Sequence, residues 1–131
     1  DYAHHPSEIK ATLDLGRLFI NKNMENKRLV TIFQPHRYTR VSKFFKQFAY
    51  ELSKADLIIM TDIFSAGEKN KNAICTNLIA DQIYDRNKKV ILLKDNYEIK
   101  KKFFSITRAG DLIINMGAGD CHNLWTLLNS K

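Results

Sequence analysis

The sequence predicts an α/β fold: a three-layer, Rossmann-like, mostly parallel sheet with helices on both faces. Three observations carry this expectation. Four short apolar runs, at 29–33, 57–61, 90–93 and 112–116, recur along the chain with helical-period segments between them. The runs are continuous rather than alternating, so both faces of each strand should be covered, as in parallel sheets. Strand and helix alternate from the first run to the last, the order expected of linked βαβ units.

Each element has its local reason. Pro6-Ser7-Glu8 opens a helix, because proline is tolerated in the first turn and Glu8 complements the helix dipole there. Ile9, Leu13, Gly16 and Ile20 recur at helical spacing, Ala11, Leu15, Leu18 and Phe19 widen the stripe, and the helix fades over the polar run 21–26. The strand at 29–33 ends at Gln34-Pro35, since proline lacks a backbone donor and disfavours helix at the residue before it. A second helix over 41–53 carries Phe44, Phe45, Phe48 and Leu52. The strand at 57–61 runs into Asp62, then a loop through Phe64-Ser65-Ala66-Gly67-Glu68, and the polar stretch 69–72 reads as mobile. A third helix is expected over 73–86 with Leu78, Ile79 and Ile83 inward, a strand at 90–93, and a short helix over 96–107. Gly110-Asp111 turns into the strand at 112–116, and Gly117-Ala118-Gly119-Asp120 leads to a last helix carrying Leu124, Trp125, Leu127 and Leu128. The pattern leaves room for one or two weaker edge strands.

Size and composition narrow the function. The 131 residues suit one domain, 1–131, with one core. No apolar run approaches the ~20 residues of a membrane span, so no membrane partner is expected. The N-terminus lacks the basic and apolar regions of a signal peptide, and the missing initiator Met predicts a piece of a longer protein. The net charge of +7 comes mostly from lysine, 15 Lys against 6 Arg, with 11 Asn beside them. These lysines are scattered along the chain, whereas a nucleic-acid surface gathers its basic residues on one face, so nucleic acid is not an expected partner. Cys75 and Cys121 fit no metal-ligand spacing and read as reduced thiols of a cytoplasmic protein.

Four stretches carry chemistry. In Gln34-Pro35-His36-Arg37-Tyr38-Thr39-Arg40, a strand runs into a basic turn and then a helix. Ligands of open α/β sheets sit outside the carboxyl ends of the strands, where helix N-termini favour anions, and an arginine fork holds a carboxylate or phosphate by two hydrogen bonds. The same residues also fit a solvated turn. Asp1-Tyr2-Ala3-His4-His5-Pro6 groups polar side chains before a helix, but adjacent histidines diverge, so no metal site is expected there. Met116-Gly117-Ala118-Gly119-Asp120 is a glycine turn between strand and helix. Without the third glycine of the dinucleotide fingerprint, it reads first as tight packing and second as nucleotide contact. Ala66-Gly67-Glu68 offers a carboxylate at the same sheet edge, or a plain surface loop. No P-loop occurs in the chain, so any ATP must be held mainly by something else.

These motifs resemble, in order and over the whole chain, the C-terminal domain of the Mur ligase family. The opening Asp1-Tyr2-Ala3-His4-His5-Pro6-Ser7-Glu8 and above all the heptapeptide 34–40 are those of the members that join L-alanine to UDP-N-acetylmuramate. A relative within the family, the murein peptide ligase, has a similar His-His-Pro opening without that heptapeptide. The sequence departs from the family pattern at Ser65, where a proline is common, over 69–77, and at Cys121-His122. The resemblance implies an ATP-dependent cytoplasmic bacterial ligase working through an acyl phosphate. Mg and most of the ATP contacts would belong to an upstream central domain, and the UDP-sugar to an N-terminal one. It further implies that Asp1 and Tyr2 lie near the nucleotide, and that Arg37, Arg40 and His4 hold L-alanine. His5, His36, Glu68, Gly117 and Gly119 are further candidates at the same edge. A non-catalytic Rossmann-like module binding an anionic metabolite is the alternative.

Overall fold

The computed structural model describes residues 1–23, 27–86 and 88–130. Its sheet contains β1 (Leu29–Phe33), β2 (Leu57–Met60), β3 (Lys89–Leu92) and β4 (Leu112–Met116), all parallel, in the order β3-β2-β1-β4. Helices α1 (Pro6–Asn23), α2 (Tyr38–Leu52) and α3 (Asn77–Tyr84) share one face with the core residues Leu13, Leu29, Phe33, Phe48, Ile58 and Ile79. Helices α4 (Asn96–Ile106) and α5 (Leu124–Asn129) cover the other, where Val30, Ile32, Ile59, Ile99, Phe103 and Leu124 meet. Successive residues of β1 therefore feed opposite cores, as a strand period of two requires. The three-layer α/β expectation holds.

The first helix starts as its residues dictate. The His5 carbonyl accepts from the Glu8 and Ile9 amides, and the Glu8 carboxylate reaches back to the His5 N–H at 3.0 Å, one half of a capping box. At the amino ends of the strands, Asp56 accepts from the Leu29 N–H (2.7 Å) and from Arg17 (3.1 Å), tying α1 to the starts of β1 and β2.

Several boundaries differ from the sequence expectation. Helix α2 starts at Tyr38 rather than 41, because Glu68 takes up the Thr39 amide and hydroxyl and so satisfies its first turn. Helix α3 starts only at Asn77. Asn70 clasps Ile74 through two 2.8 Å hydrogen bonds, and Ala73 sits at φ 51°, a left-handed conformation that cannot continue into a helix. The stretch 69–72, expected to be mobile, is partly pinned by that clasp. Strand β3 is shifted by one residue, and its Lys89 and Leu92 are exposed because it lies at the sheet edge. The last helix splits into a 3₁₀ turn (Asp120–Asn123) and α5. The fading of the first helix over 24–26 lies outside the described residues.

Candidate functional site

The sheet's topology fixes where a site forms. The chain leaves β1 for β2 on one side, while β4 docks against the other, so β1 and β4 flank the point where strand order reverses. Loops leaving two such strands part there and open a crevice at their carboxyl ends. The basic turn follows β1 and the glycine turn follows β4.

Gln34 links the two turns. Its N–H continues the ladder to the Met116 carbonyl (3.0 Å), its Nε2 donates to Asp120 Oδ1 (2.6 Å), and its Oε1 accepts from the Cys121 N–H (3.2 Å). Gly119 is what lets this side chain lie down: a Cβ there would stand 2.7 Å from Gln34 Oε1 and 2.6 Å from Phe64 Cγ. At Gly117 a Cβ would meet Cys121 Sγ at 2.6 Å. Both glycines therefore serve close packing. Gly119→Ala should cost about 1–3 kcal/mol by overpacking, read as a lowered urea midpoint at unchanged m-value.

A second link joins the basic turn to the loop after β2. Phe64 donates its N–H to the Pro35 carbonyl (2.8 Å), and the Phe64 carbonyl accepts from the Arg37 N–H (2.8 Å), extending parallel pairing one step beyond the sheet. The Phe64 ring stacks on His36, with centroids 5.6 Å apart and planes within 10°. Arg37 takes φ 72°, an uncommon left-handed value for a residue with a Cβ, held by that hydrogen bond on one side and the start of α2 on the other.

Arg40 lies in the first turn of α2. Its Nη1 donates to His36 Nδ1 (3.0 Å) and to the His36 carbonyl (3.2 Å), so one corner of the guanidinium is anchored. Among the described residues no acceptor meets its Nε or Nη2, and none meets the Arg37 guanidinium. Burial pushes the His36 pKa below its ordinary 6.5, and the charges of Arg40, His4 and Arg37 push the same way. His36 is thus the neutral acceptor that Arg40 needs.

The N-terminal segment closes one side. The Asp1 backbone N donates to the Asn115 carbonyl (2.8 Å), the Asp1 carbonyl accepts from the Gly117 N–H (3.2 Å), and its carboxylate accepts from the Ala3 N–H (2.8 Å). His4 Nδ1 bonds the Tyr2 carbonyl (2.9 Å), and its ring stands 5.2 Å from Tyr2 and 5.8 Å from His36. The Tyr2 side chain is 69% exposed.

The fold thus brings together His4, His36, Arg37 and Arg40, with Asp1 and Tyr2 alongside. His5 does not join them: its ring bonds Ser7 and packs on Phe44 at the α1–α2 seam. Glu68 is spent on Thr39, whose hydroxyl and N–H, followed by the Tyr38 N–H and the Arg37 charge, hold its pKa below the ordinary carboxylate value. Sequence reasoning treated Gln34 only as a strand exit and overlooked Phe64. The signal for Phe64 was its place after β2, matching that of His36 after β1.

The larger hollows flank the basic turn rather than cover it. One cleft of about 620 Å³ opens beside Gln34, Asp62, Phe64, Tyr97 and Asp120. Another of about 460 Å³ lies between the start of α2 and the 68–74 segment, lined by Thr39, Lys43, Glu68 and Ile74. Among the described residues no three His, Cys, Asp or Glu side chains converge as metal ligands, and no helix is long and apolar enough to cross a membrane. Cys75 and Cys121 are free thiols, the second buried.

Comparison with known proteins agrees with this architecture. The UDP-N-acetylmuramate–L-alanine ligase of Prochlorococcus marinus subsp. pastoris is 61% identical over the whole chain, which covers 29% of that protein. That of Dictyoglomus turgidum is 45% identical over 95% of the chain and 25% of its own length. The chain therefore spans less than a third of the curated relatives it matches. The crystal structure of the UDP-N-acetylmuramate–alanine ligase of Thermotoga maritima shares the fold, with a TM-score of 0.72 at 24% identity over 98% of this chain and 24% of that one. The sequence pattern of the family described as Mur ligase, glutamate ligase domain, matches residues 1–119. The chain belongs to the Mur ligase family, as its C-terminal glutamate ligase domain.

Proposed function

We propose that residues 1–131 form the single C-terminal domain of a cytoplasmic, ATP-dependent ligase that joins L-alanine to UDP-N-acetylmuramate in peptidoglycan synthesis. The observation that supports this best is the Arg40 guanidinium, anchored at one corner by a neutral His36 and free at the others, at the point where strand order reverses. A fork held in this way suits the carboxylate of a small amino acid. Arg37 adds a second charge to the clamp, and His4 lines the place where the amino acid would rest. Asp1 and Tyr2, carried on a segment fixed to β4, would lie along the nucleotide.

In this reading the carboxylate of UDP-N-acetylmuramate takes the γ-phosphoryl group of ATP to give an acyl phosphate and ADP. The amine of L-alanine then attacks the acyl carbon, the C–N bond forms, phosphate leaves with the electrons of the broken C–O bond, and the amine sheds a proton. The part of this domain is to hold the amine in attack geometry and to close over the reacting groups. ATP and Mg belong mainly to the upstream domains of the same polypeptide. Among the described residues no cluster of His, Cys, Asp or Glu converges to hold the metal. The chain has no P-loop, so the isolated domain should be inactive.

Phosphate release from ATP by the full-length protein tests this. Release should require UDP-N-acetylmuramate and L-alanine together. No alanine-dependent release from a folded full-length protein would leave the non-catalytic, anion-binding reading. A pH dependence follows from His36. Its pKa is lower in the folded chain than in the unfolded one, so below pH 6.5 the unfolded chain takes up the proton first. Stability contributed by the neutral ring is complete above 6.5 and declines from there down to the folded pKa. A protonated His36 can no longer accept from Arg40, so the KM for L-alanine should rise only as pH falls through the lowered folded pKa of His36, while that for ATP stays level.

A further inference from the structure

Phe64 follows β2 as His36 follows β1, and its backbone grips the basic turn on both sides of that histidine. The Phe64 N–H donates to the Pro35 carbonyl and its carbonyl accepts from the Arg37 N–H, each at 2.8 Å. Its ring lies flat along the imidazole, with centroids 5.6 Å apart and planes within 10°. Gly119 lies against the same ring, since a Cβ there would stand 2.6 Å from Phe64 Cγ and 2.8 Å from Cδ2. The loops after β1, β2 and β4 therefore meet on this one side chain.

Core packing does not account for it. Phe64 is half-buried and belongs to neither core cluster, whereas its neighbour Ile63 packs on the larger one. Phe64 lines the cleft of about 620 Å³ together with Asp62, Asp95 and Asp120, and His36 does not. The ring thus stands between the imidazole and an acidic cleft. On its other sides His36 meets Arg40 of α2, Arg37 of the turn, His4 of the N-terminal segment and the charge of Glu68. A flat contact also fixes the imidazole about χ2, a torsion that is otherwise broad. That angle decides whether Nδ1 meets Arg40 Nη1, here at 3.0 Å.

We infer that Phe64 is a positioning residue for L-alanine: its ring holds the plane of His36 and screens it from the cleft, so that Arg40 keeps its anchored corner and presents the rest of its fork. This role rests on the reading of Arg40 as the clamp for the L-alanine carboxylate, and it is exercised through His36. Burial is the largest cause of the lowered His36 pKa, and the charges of Arg40, His4 and Arg37 stay in place when Phe64 is replaced. A side chain without a flat face admits water to the imidazole, and the pKa returns toward the ordinary 6.5.

Phe64→Met in the full-length protein tests this, since methionine fills the volume without a ring plane. At neutral pH the KM for L-alanine should rise about 3- to 10-fold, the range of an aromatic pair, with kcat and the KM for ATP within about twofold. The acid rise in the KM for L-alanine should begin at higher pH than in wild type, and Phe64→Tyr, which keeps the ring, should behave as wild type. Nuclear magnetic resonance titration of the His36 ring, without substrates, should show its pKa raised in Phe64→Met and unchanged in Phe64→Tyr. An unmoved His36 pKa, or equal rises in both KM values, would leave Phe64 a packing residue and overturn the inference. So would loss of folding in Phe64→Met and Phe64→Leu alike. Absence of alanine-dependent phosphate release in wild type would instead overturn the ligase reading, and a raised His36 pKa in Phe64→Met would still uphold the hold of Phe64 on His36.

Discussion

Arg40→Ala in the full-length protein raises the L-alanine requirement about 10- to 100-fold and leaves the ATP requirement nearly unchanged. The magnitude is that of a charge-assisted hydrogen bond to a carboxylate, about 1.5–3 kcal/mol, at tenfold per ~1.4 kcal/mol. The selectivity follows from the geometry, since the N–H groups of Arg40 that meet no acceptor among the described residues lie at the β1 turn, while the segment proposed for the nucleotide is fixed to β4. Arg40→Lys should rescue little, because an ammonium cannot both bond His36 and present a planar fork. Arg37→Ala should cost less, since its guanidinium meets no anchor among the described residues and loses more freedom on gripping the substrate. Steady-state kinetics with each substrate varied in turn separates these outcomes. An equal rise in both requirements for Arg40→Ala would rule out the carboxylate clamp.

The fold was legible because its signals are local. Continuous apolar runs and their spacing specify strands covered on both faces, and Pro6 with Glu8 marks a helix start from backbone chemistry alone. What periodicity could not reach was set by contacts distant in sequence. Tyr38 joins a helix only because Glu68, thirty residues on, supplies the first-turn acceptor for Thr39. The late start of α3 depends on the Asn70–Ile74 clasp, whose residues read simply as polar. In the candidate site, residue type pointed to Arg37, Arg40 and His36 as groups suited to an anion. Their division of labour stayed hidden, because the Arg40–His36 bond and the stacking of Phe64 exist only once β1 and β2 are side by side. Glu68 and His5 show the converse: their chemistry suggested a ligand site, and packing gave them to a helix start and a helix seam. The glycine turn was read first as a packing device and second as nucleotide contact, and the close Cβ contacts at Gly117 and Gly119 are those of tight packing.

Asp111→Ala should destabilise the chain by about 3 kcal/mol, the low end for breaking a buried ion pair. The Asp111 side chain is 3% exposed and that of Arg28 23%. The guanidinium donates through Nε (3.1 Å) and Nη2 (2.8 Å) to the two carboxylate oxygens, and again to the Ile106 carbonyl (3.1 Å). Arg28 immediately precedes β1 and Asp111 immediately precedes β4, so the pair fixes the register of adjacent strands at the end opposite the site. Removing the carboxylate leaves a mostly buried cation and also frees the Arg108 N–H that Asp111 accepts at 2.7 Å. Burial alone would raise the Asp111 pKa, but the Arg28 hydrogen bonds and charge outweigh it and hold the carboxyl below its ordinary 3.8. Because the folded-state pKa is the lower one, the unfolded chain takes up the proton first as pH falls. The stabilisation is complete above the ordinary carboxylate pKa and disappears as pH drops through the folded one. Urea denaturation of wild type and Asp111→Asn, repeated from pH 7 to pH 3, should show two stability curves that converge at acid pH. A gap of constant size would mean that the pair contributes through shape alone, and that the charge of Asp111 does nothing to hold β4 against β1.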